Sequence, residues 1–243
     1  MAFSFVRDAT STPGASPYTA IFASNSAGDV LVVMITTSNN VTPNTPTDTK
    51  GNTYVLIGGP SGNTTSGFLT AWFCASCLAS AGNNTVSVSF GSAPGGGEMS
   101  VQEWTPPAGT VSAEASGFNA ATGSNNAPLT GNYSSSQTDD LMLSYVGLAS
   151  TPSITAGNTG TPGNWSKTGL GQPDAFTGIE SSTSNSTSST NTGRFSLGAT
   201  ASWTIMAFAL KAVSSGITIG EMDAAEQSSQ TQPMRQTREV VAI

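Results

Sequence analysis

Asp29-Val-Leu-Val-Val-Met-Ile-Thr36 decides the fold class of this chain. Six apolar residues stand in a row and fill both parities: Val30, Val32 and Met34 on one, Leu31, Val33 and Ile35 on the other. Successive side chains of a strand point to opposite faces. A strand apolar on both parities therefore needs cover on both faces, which makes it central rather than an edge. No apolar run in the chain exceeds six residues, far short of the roughly 20 a membrane helix requires.

Outward from it the same grammar recurs. Leu141–Leu148 and Ala201–Val213 are again apolar on both parities, and Thr85–Phe90 alternates, with Val86, Val88 and Phe90 on one side. Ala2–Arg7, Tyr18–Ala23, Thr53–Ile57, Phe68–Phe73, Met99–Trp104 and Arg194–Leu197 complete about ten candidate strands. Turn signals at Ala27-Gly28, Gly51-Asn52, Gly58-Gly59-Pro60, Gly82-Asn83-Asn84 and Gly95-Gly96-Gly97 separate them. No segment before residue 215 sustains a 3.6-residue period, so no helix is expected there. The expected fold is all-β: a two-sheet antiparallel sandwich of jelly-roll type over 1–213, followed by an extended C-terminal arm over 214–243. Long loops are expected at 39–50, 106–138 and 151–191. Ser181–Thr190 holds only Ser, Thr and Asn, and is expected to be solvated.

Composition narrows the function. The 243 residues include Ser 36, Thr 34, Asn 16 and Gly 27, and only 9% are charged, against about 25% in ordinary globular proteins. The absence of histidine rules out a histidine triad or a histidine metal site. A net charge of −7 and a stretch from Lys50 to Lys167 without an intervening basic residue argue against a nucleic-acid groove. The N-terminus lacks the basic segment and apolar run of a secretory signal. The expectation is synthesis in the cytoplasm and exposure by another route, such as lysis.

Ser26-Ala-Gly-Asp-Val-Leu-Val-Val-Met-Ile35 followed by Asp48-Thr-Lys-Gly-Asn-Thr-Tyr-Val-Leu-Ile57 resembles a family of β-sandwich modules. These occur in bacteriophage virion proteins and secreted bacterial surface proteins. Ala71–Phe73, Asn84–Phe90, Val101–Trp104, Asp140–Leu143 and Trp203–Leu210 follow in matching order, so the resemblance covers about residues 3–212. It implies a jelly-roll-like sandwich used for display or binding. It carries no catalytic residues to transfer.

The side chains that could do chemistry are few. Glu98 and Glu103 are five apart on one strand, so alternation sends them to opposite faces and they cannot form the carboxylate pair of a glycosidase. Glu103 shares parity with Met99 and Val101 and should point inward, with Trp104 outward. A strand irregularity that swaps the two, a buried glutamate satisfied by backbone donors, and a catalytic acid all remain open. Asp139-Asp140 could hold calcium, although the Asp-x-Asp-x-Asp-Gly pattern is absent. Asp48 reads as a turn-closing side chain. Cys74 and Cys77 read as ordinary thiols or a local disulfide, since no helix follows them. Trp72 and Trp203 read as core. Tyr133 and Trp165, in polar loop sequence, are either glycan-stacking platforms or plugs of the sandwich.

The tail differs in character: it carries six of the 21 charged residues and four of the seven glutamines, and has no aromatic residue. One short helix is expected at 219–226. Ile217, Ile219, Met222, Val240, Val241 and Ile243 are the candidate docking residues for a partner subunit. Together these features lead to an expectation of a non-enzymatic structural virion protein, a surface or decoration subunit of head or tail anchored through its arm, with no cofactor. The expected partners are other virion subunits, in a homo-oligomer, and a cell-surface glycan, with neither nucleic acid nor membrane insertion. The alternative is a carbohydrate-binding or adhesion module, extracellular or on a phage fibre.

Overall fold

The computed structural model describes residues 2–12, 16–157, 165–167, 177–183 and 187–213. The expected docking residues Ile217, Ile219, Met222, Val240, Val241 and Ile243, the short helix and the arm all lie outside the described residues. Before residue 106 there are eight strands: β1 (Ser4–Thr10), β2 (Tyr18–Phe22), β3 (Val30–Thr37), β4 (Thr47–Asp48), β5 (Val55–Asn63), β6 (Gly67–Cys74), β7 (Asn84–Val88) and β8 (Gly97–Thr105). After it come β9 (Thr110–Asn125), β10 (Tyr133–Ser135), β11 (Leu141–Leu148), β12 (Ile154–Ala156), β13 (Ser166–Lys167), β14 (Thr177–Ser182), β15 (Ser188–Asn191), β16 (Phe195–Leu197) and β17 (Ala201–Val213). The described residues contain no helix.

Two five-stranded antiparallel sheets form the centre, ordered β1-β8-β3-β6-β5 and β13-β14-β11-β17-β9. They share one core. Val30, Val32, Met34, Leu69, Phe73 and Trp104 from the first sheet meet Leu141, Leu143, Tyr145, Met206, Phe208 and Leu210 from the second. The other parity of β3, namely Leu31, Val33 and Ile35, packs beneath a three-stranded sheet, β2-β7-β4, with Tyr18, Phe22, Val86 and Val88. The outer face of the second sheet is likewise covered, by β12-β16 over Val146, Trp203 and Ile205, and by β10-β15 over Met142 and Ala207. Cover on both faces is what the double parity of β3, β11 and β17 demands, and each fully buried Val, Leu or Phe adds about 1.5–3 kcal/mol.

The two halves of the chain repeat one strand order. In each, the first strand pairs with the last, the last with the third, the third with the sixth, and the fifth forms the far edge: β1-β8-β3-β6-β5 and β9-β17-β11-β14-β13. The second and fourth strands flank the seventh in the outer layer, and in the second half the seventh is split into β15 and β16. Registers agree as well. Val30↔Trp104 matches Leu141↔Leu210, and Leu31↔Cys74 matches Met142↔Ser182. Each first–last pair carries a bulge, between Phe5 and Arg7 in one half and between Phe208 and Leu210 in the other.

An ionic cluster beside that bulge is also built twice, with its charges exchanged between the strands. In the first half Arg7 Nε of β1 lies 2.9 Å from Glu103 Oε2 of β8, and the Ser26 amide donates to Glu103 Oε1 at 2.9 Å. In the second the acid is on the first strand and the base on the last: Lys211 Nζ is 3.3 Å from Glu114 Oε2, and the Ser136 amide donates to Glu114 Oε1 at 3.0 Å. Each cluster ties the loop that leads into the third strand to the first–last pair.

Several expectations are corrected. Glu103 and Trp104 do not swap: both are buried, Glu103 at 0% exposure on the outer-layer face and Trp104 in the central core, because the sheet is covered on both sides. Of the three alternatives for Glu103, the geometry is that of the buried glutamate held by a backbone donor, with an ion pair added. The loop expected over 106–138 holds the sixteen-residue β9, which pairs along β17. The loop expected over 151–191 holds β12 to β15. Ser181 and Ser182 of the Ser/Thr/Asn run are buried in β14 rather than solvated.

Candidate functional site

At one end of the central sheets β3 and β11 finish while β6, β8 and β14 begin. Between them lies a cleft of about 300 Å³. Thr36, Ser66, Gly97 and Glu98 line it from the first half, and Leu148 and Thr177 from the second; Ser38, Thr64 and Thr65 stand at its wall. Hydroxyl bonds stitch the halves together here. Thr177 Oγ1 donates to Glu98 Oε1 at 2.8 Å. Thr204 Oγ1 lies 2.8 Å from Ser66 Oγ and donates to the Gly67 carbonyl at 3.0 Å. The Thr36 hydroxyl is in hydrogen-bond contact with the Tyr145 hydroxyl.

Among the described residues that line the cleft, Glu98, 1% exposed, is the only carboxylate and none is basic. It sits there because Thr36↔Glu98 pairing continues β8 to the end of β3. Behind it Tyr18 donates to the Gly96 carbonyl at 3.2 Å, and burial together with the charge of Glu98 pushes the phenol up to about 12. The preceding Gly97 has φ 127°, and a Cβ there would come within 2.1 Å of the Thr36 carbonyl oxygen, so the backbone at the cleft requires glycine.

A second buried carboxylate, Glu180, occupies the outer face of the second central sheet. It takes the register position of Trp72 in the first half: Ser144↔Glu180 answers Val33↔Trp72. The amides of Gly157 and Arg194 donate to its two oxygens at 2.9 Å each. Burial outweighs these bonds and raises the carboxyl from an ordinary 4.5 to about 8.

The expected glycan contacts are corrected. Tyr133 is 1% and Trp165 3% exposed, and both pack with Met142, Ala207 and Ala209 under the outer strands. Neither ring offers a face to solvent, so their position is that of core plugs. Trp72 and Trp203 are buried, as read. Asp48 closes its turn, accepting from the amides of Lys50 and Asn52 at 3.0 and 3.1 Å and from the Tyr54 hydroxyl at 2.8 Å. Burial raises its carboxyl, but these bonds outweigh burial and hold it below the usual range. Asp140 is buried at 1% exposure, with its carboxyl pushed up to about 6 mainly by burial. Cys74 and Cys77 are free and buried; burial raises both thiols, Cys77 up to about 12. Among the described residues no three acidic, cysteine or histidine side chains gather to hold a metal ion.

Sequence reasoning singled out Glu98 only as half of a rejected pair, and passed over Thr36, Ser66 and Thr177. The run Gly95-Gly96-Gly97 before Glu98 was the available signal of unusual backbone there. No protein-family model, curated protein or solved structure matches this chain.

Proposed function

We propose that this chain is a non-enzymatic structural protein of a virion, a surface or decoration subunit of head or tail, with residues 214–243 as its anchoring arm. The observation that carries the reading is the strand order of each half. First-last-third-sixth with second-seventh-fourth resembles the order of a jelly roll, a recurrent unit of viral capsid and lectin domains, with the fifth strand added beside the sixth, and this likeness supports the reading. Buried charge adds support, since it is spent on holding the fold: Glu103 and Glu114 are paired with Arg7 and Lys211, while Glu180 accepts backbone amides. The test is a version lacking residues 216–243, produced in place of the full chain during particle assembly. Absence of the truncated protein from purified particles, with its β-sheet circular dichroism retained, is the expected result. Normal incorporation overturns the proposal.

A second reading, carbohydrate binding, is favoured by the hydroxyl-lined cleft rather than by the aromatic residues first suspected. The two are compatible in one subunit.

A further inference from the structure

We propose that the two ionic clusters are proton-operated latches: each sets two buried carboxyl groups against one base, keeps one proton in the folded state, and loosens the loop leading into the third strand when that proton leaves. The inference is independent of the virion reading.

In the first half the loop ends in Asp29, two residues before Leu31, whose register partner is Glu103. Both acids are buried, and their carboxyl groups are in hydrogen-bond contact. Asp29 Oδ2 meets no donor among the described residues. Two carboxylates cannot donate to each other, so the contact becomes a hydrogen bond only when one of them carries a proton. Arg7 faces the pair and answers one of its two charges. The neighbouring Cys77 thiol donates to the Ser26 carbonyl at 3.1 Å and supplies no positive charge. Burial first, and then Asp29, raise the Glu103 carboxyl against the Ser26 amide and Arg7.

The second half repeats the count. Glu114 and Asp140 are both buried, and Lys211 faces them. Burial raises Glu114, but the Ser136 donors and Lys211 outweigh it and hold its carboxyl below the usual range. Asp140 therefore carries the proton: burial, with the charge of Glu114 added, pushes it up to about 6.

The protonated pairs hold the loops. The Cys77 amide donates to the Asp29 carbonyl at 2.8 Å and the Gly28 amide to the Cys77 carbonyl at 2.9 Å, beside the Ser26 amide on Glu103. In the second half the Gln137 amide donates to Asp140 Oδ2 at 3.4 Å, beside the Ser136 amide on Glu114. Loss of the proton leaves an unbalanced buried charge, which opening of the loop to water relieves. Because the folded state raises these carboxyls, the hold is complete below their ordinary values and is lost as pH climbs through the raised ones. A rise from 3.8 to about 6 at Asp140 makes opening about tenfold more frequent at pH 7 than at pH 5.

The experiment is amide hydrogen exchange by NMR on the full chain at pH 5, 6 and 7, corrected for the intrinsic rate and read at Ser26, Ser136 and Gln137. Protection should fall as pH rises, by about tenfold at Ser136 and Gln137, while Val32 and Leu143 in the central strands keep theirs. Asp140→Asn should make Ser136 and Gln137 insensitive to pH and leave Ser26 as in wild type; Asp29→Asn should do the reverse. Carbon-13 titration of the side-chain carboxyls needs no variant. It should show Asp140 titrating at about 6 and one proton held jointly by Asp29 and Glu103 above the ordinary glutamate value of 4.5. Three results overturn the proposal: protection at both loops unchanged from pH 5 to 7, asparagine variants with the wild-type dependence, or Asp29, Glu103 and Asp140 all titrating at ordinary values.

Discussion

Glu180→Gln tests the reading of the second half's interior. Glu180 is 0% exposed, and its carboxyl rises from 4.5 to about 8. The folded state therefore holds the proton more tightly than the unfolded chain. The stabilisation is complete below about pH 4.5 and is lost as pH climbs through 8. At 1.36 kcal/mol per pKa unit the whole effect is about 5 kcal/mol, and between pH 5 and 7 it amounts to about 2–3 kcal/mol. Glutamine cannot ionise, and its amide nitrogen must face one of the two donors, Gly157 N or Arg194 N, that Glu180 now satisfies. That mismatch costs about 1–3 kcal/mol at every pH. The variant should be less stable than wild type at pH 5, and the gap should close as pH rises, reversing near pH 7. Asp140 titrates in part of this window, and so do other carboxyls, but they are common to both proteins and cancel in the difference. The assay is urea unfolding followed by tryptophan fluorescence at pH 5, 6, 7 and 8. Parallel stability–pH curves for the two proteins would refute the argument.

Two further outcomes follow from the geometry. Arg7→Met leaves the fully buried Glu103 without its cation; the expected loss is about 1–3 kcal/mol in urea unfolding, moderated because Arg7 is partly exposed, and it should shrink as pH falls and Glu103 takes up a proton. Cys74 and Cys77 should resist a thiol reagent at pH 8 in the native protein and react promptly in urea, since burial raises both thiols; fast native labelling would contradict their placement.

Legibility in the sequence follows the size of the apolar signal. β3, β11 and β17 were readable because large side chains fill both parities, and Leu141–Leu148 and Ala201–Val213 were bounded to the residue. β9 was not, because Thr110–Asn125 has few large apolar side chains, and its order comes from backbone pairing with β17. β14 was hidden for a related reason: Thr177, Glu180, Ser181 and Ser182 are buried polar residues, which periodicity assigns to loops. Both omissions fall in the second half, and that is why the repetition of strand order escaped notice. Position 72 is Trp where position 180 is Glu, so corresponding strands share register but not hydropathy. The cleft was illegible because its residues, Thr36, Glu98 and Thr177, meet only through the packing of two sheets.

The repetition bears on function because the cleft belongs to neither half. Thr36, Ser66 and Glu98 come from the first, Leu148 and Thr177 from the second. The bonds that fix the cleft, Thr177 to Glu98 and Thr204 to Ser66, run between the same pair of strands taken in opposite directions: from the sixth strand of the second half to the eighth of the first, and from the eighth strand of the second half to the start of the sixth in the first. Residues in those related places have diverged, so that a carboxylate stands on β8 where β17 offers the Thr204 hydroxyl. A single half would leave its central sheet face, with Val30, Val32, Met34 and Phe73, open to water. Pairing of the halves thus buries that face and assembles the polar cleft at its end in one step, and any ligand held there would report on the same packing that keeps the chain folded.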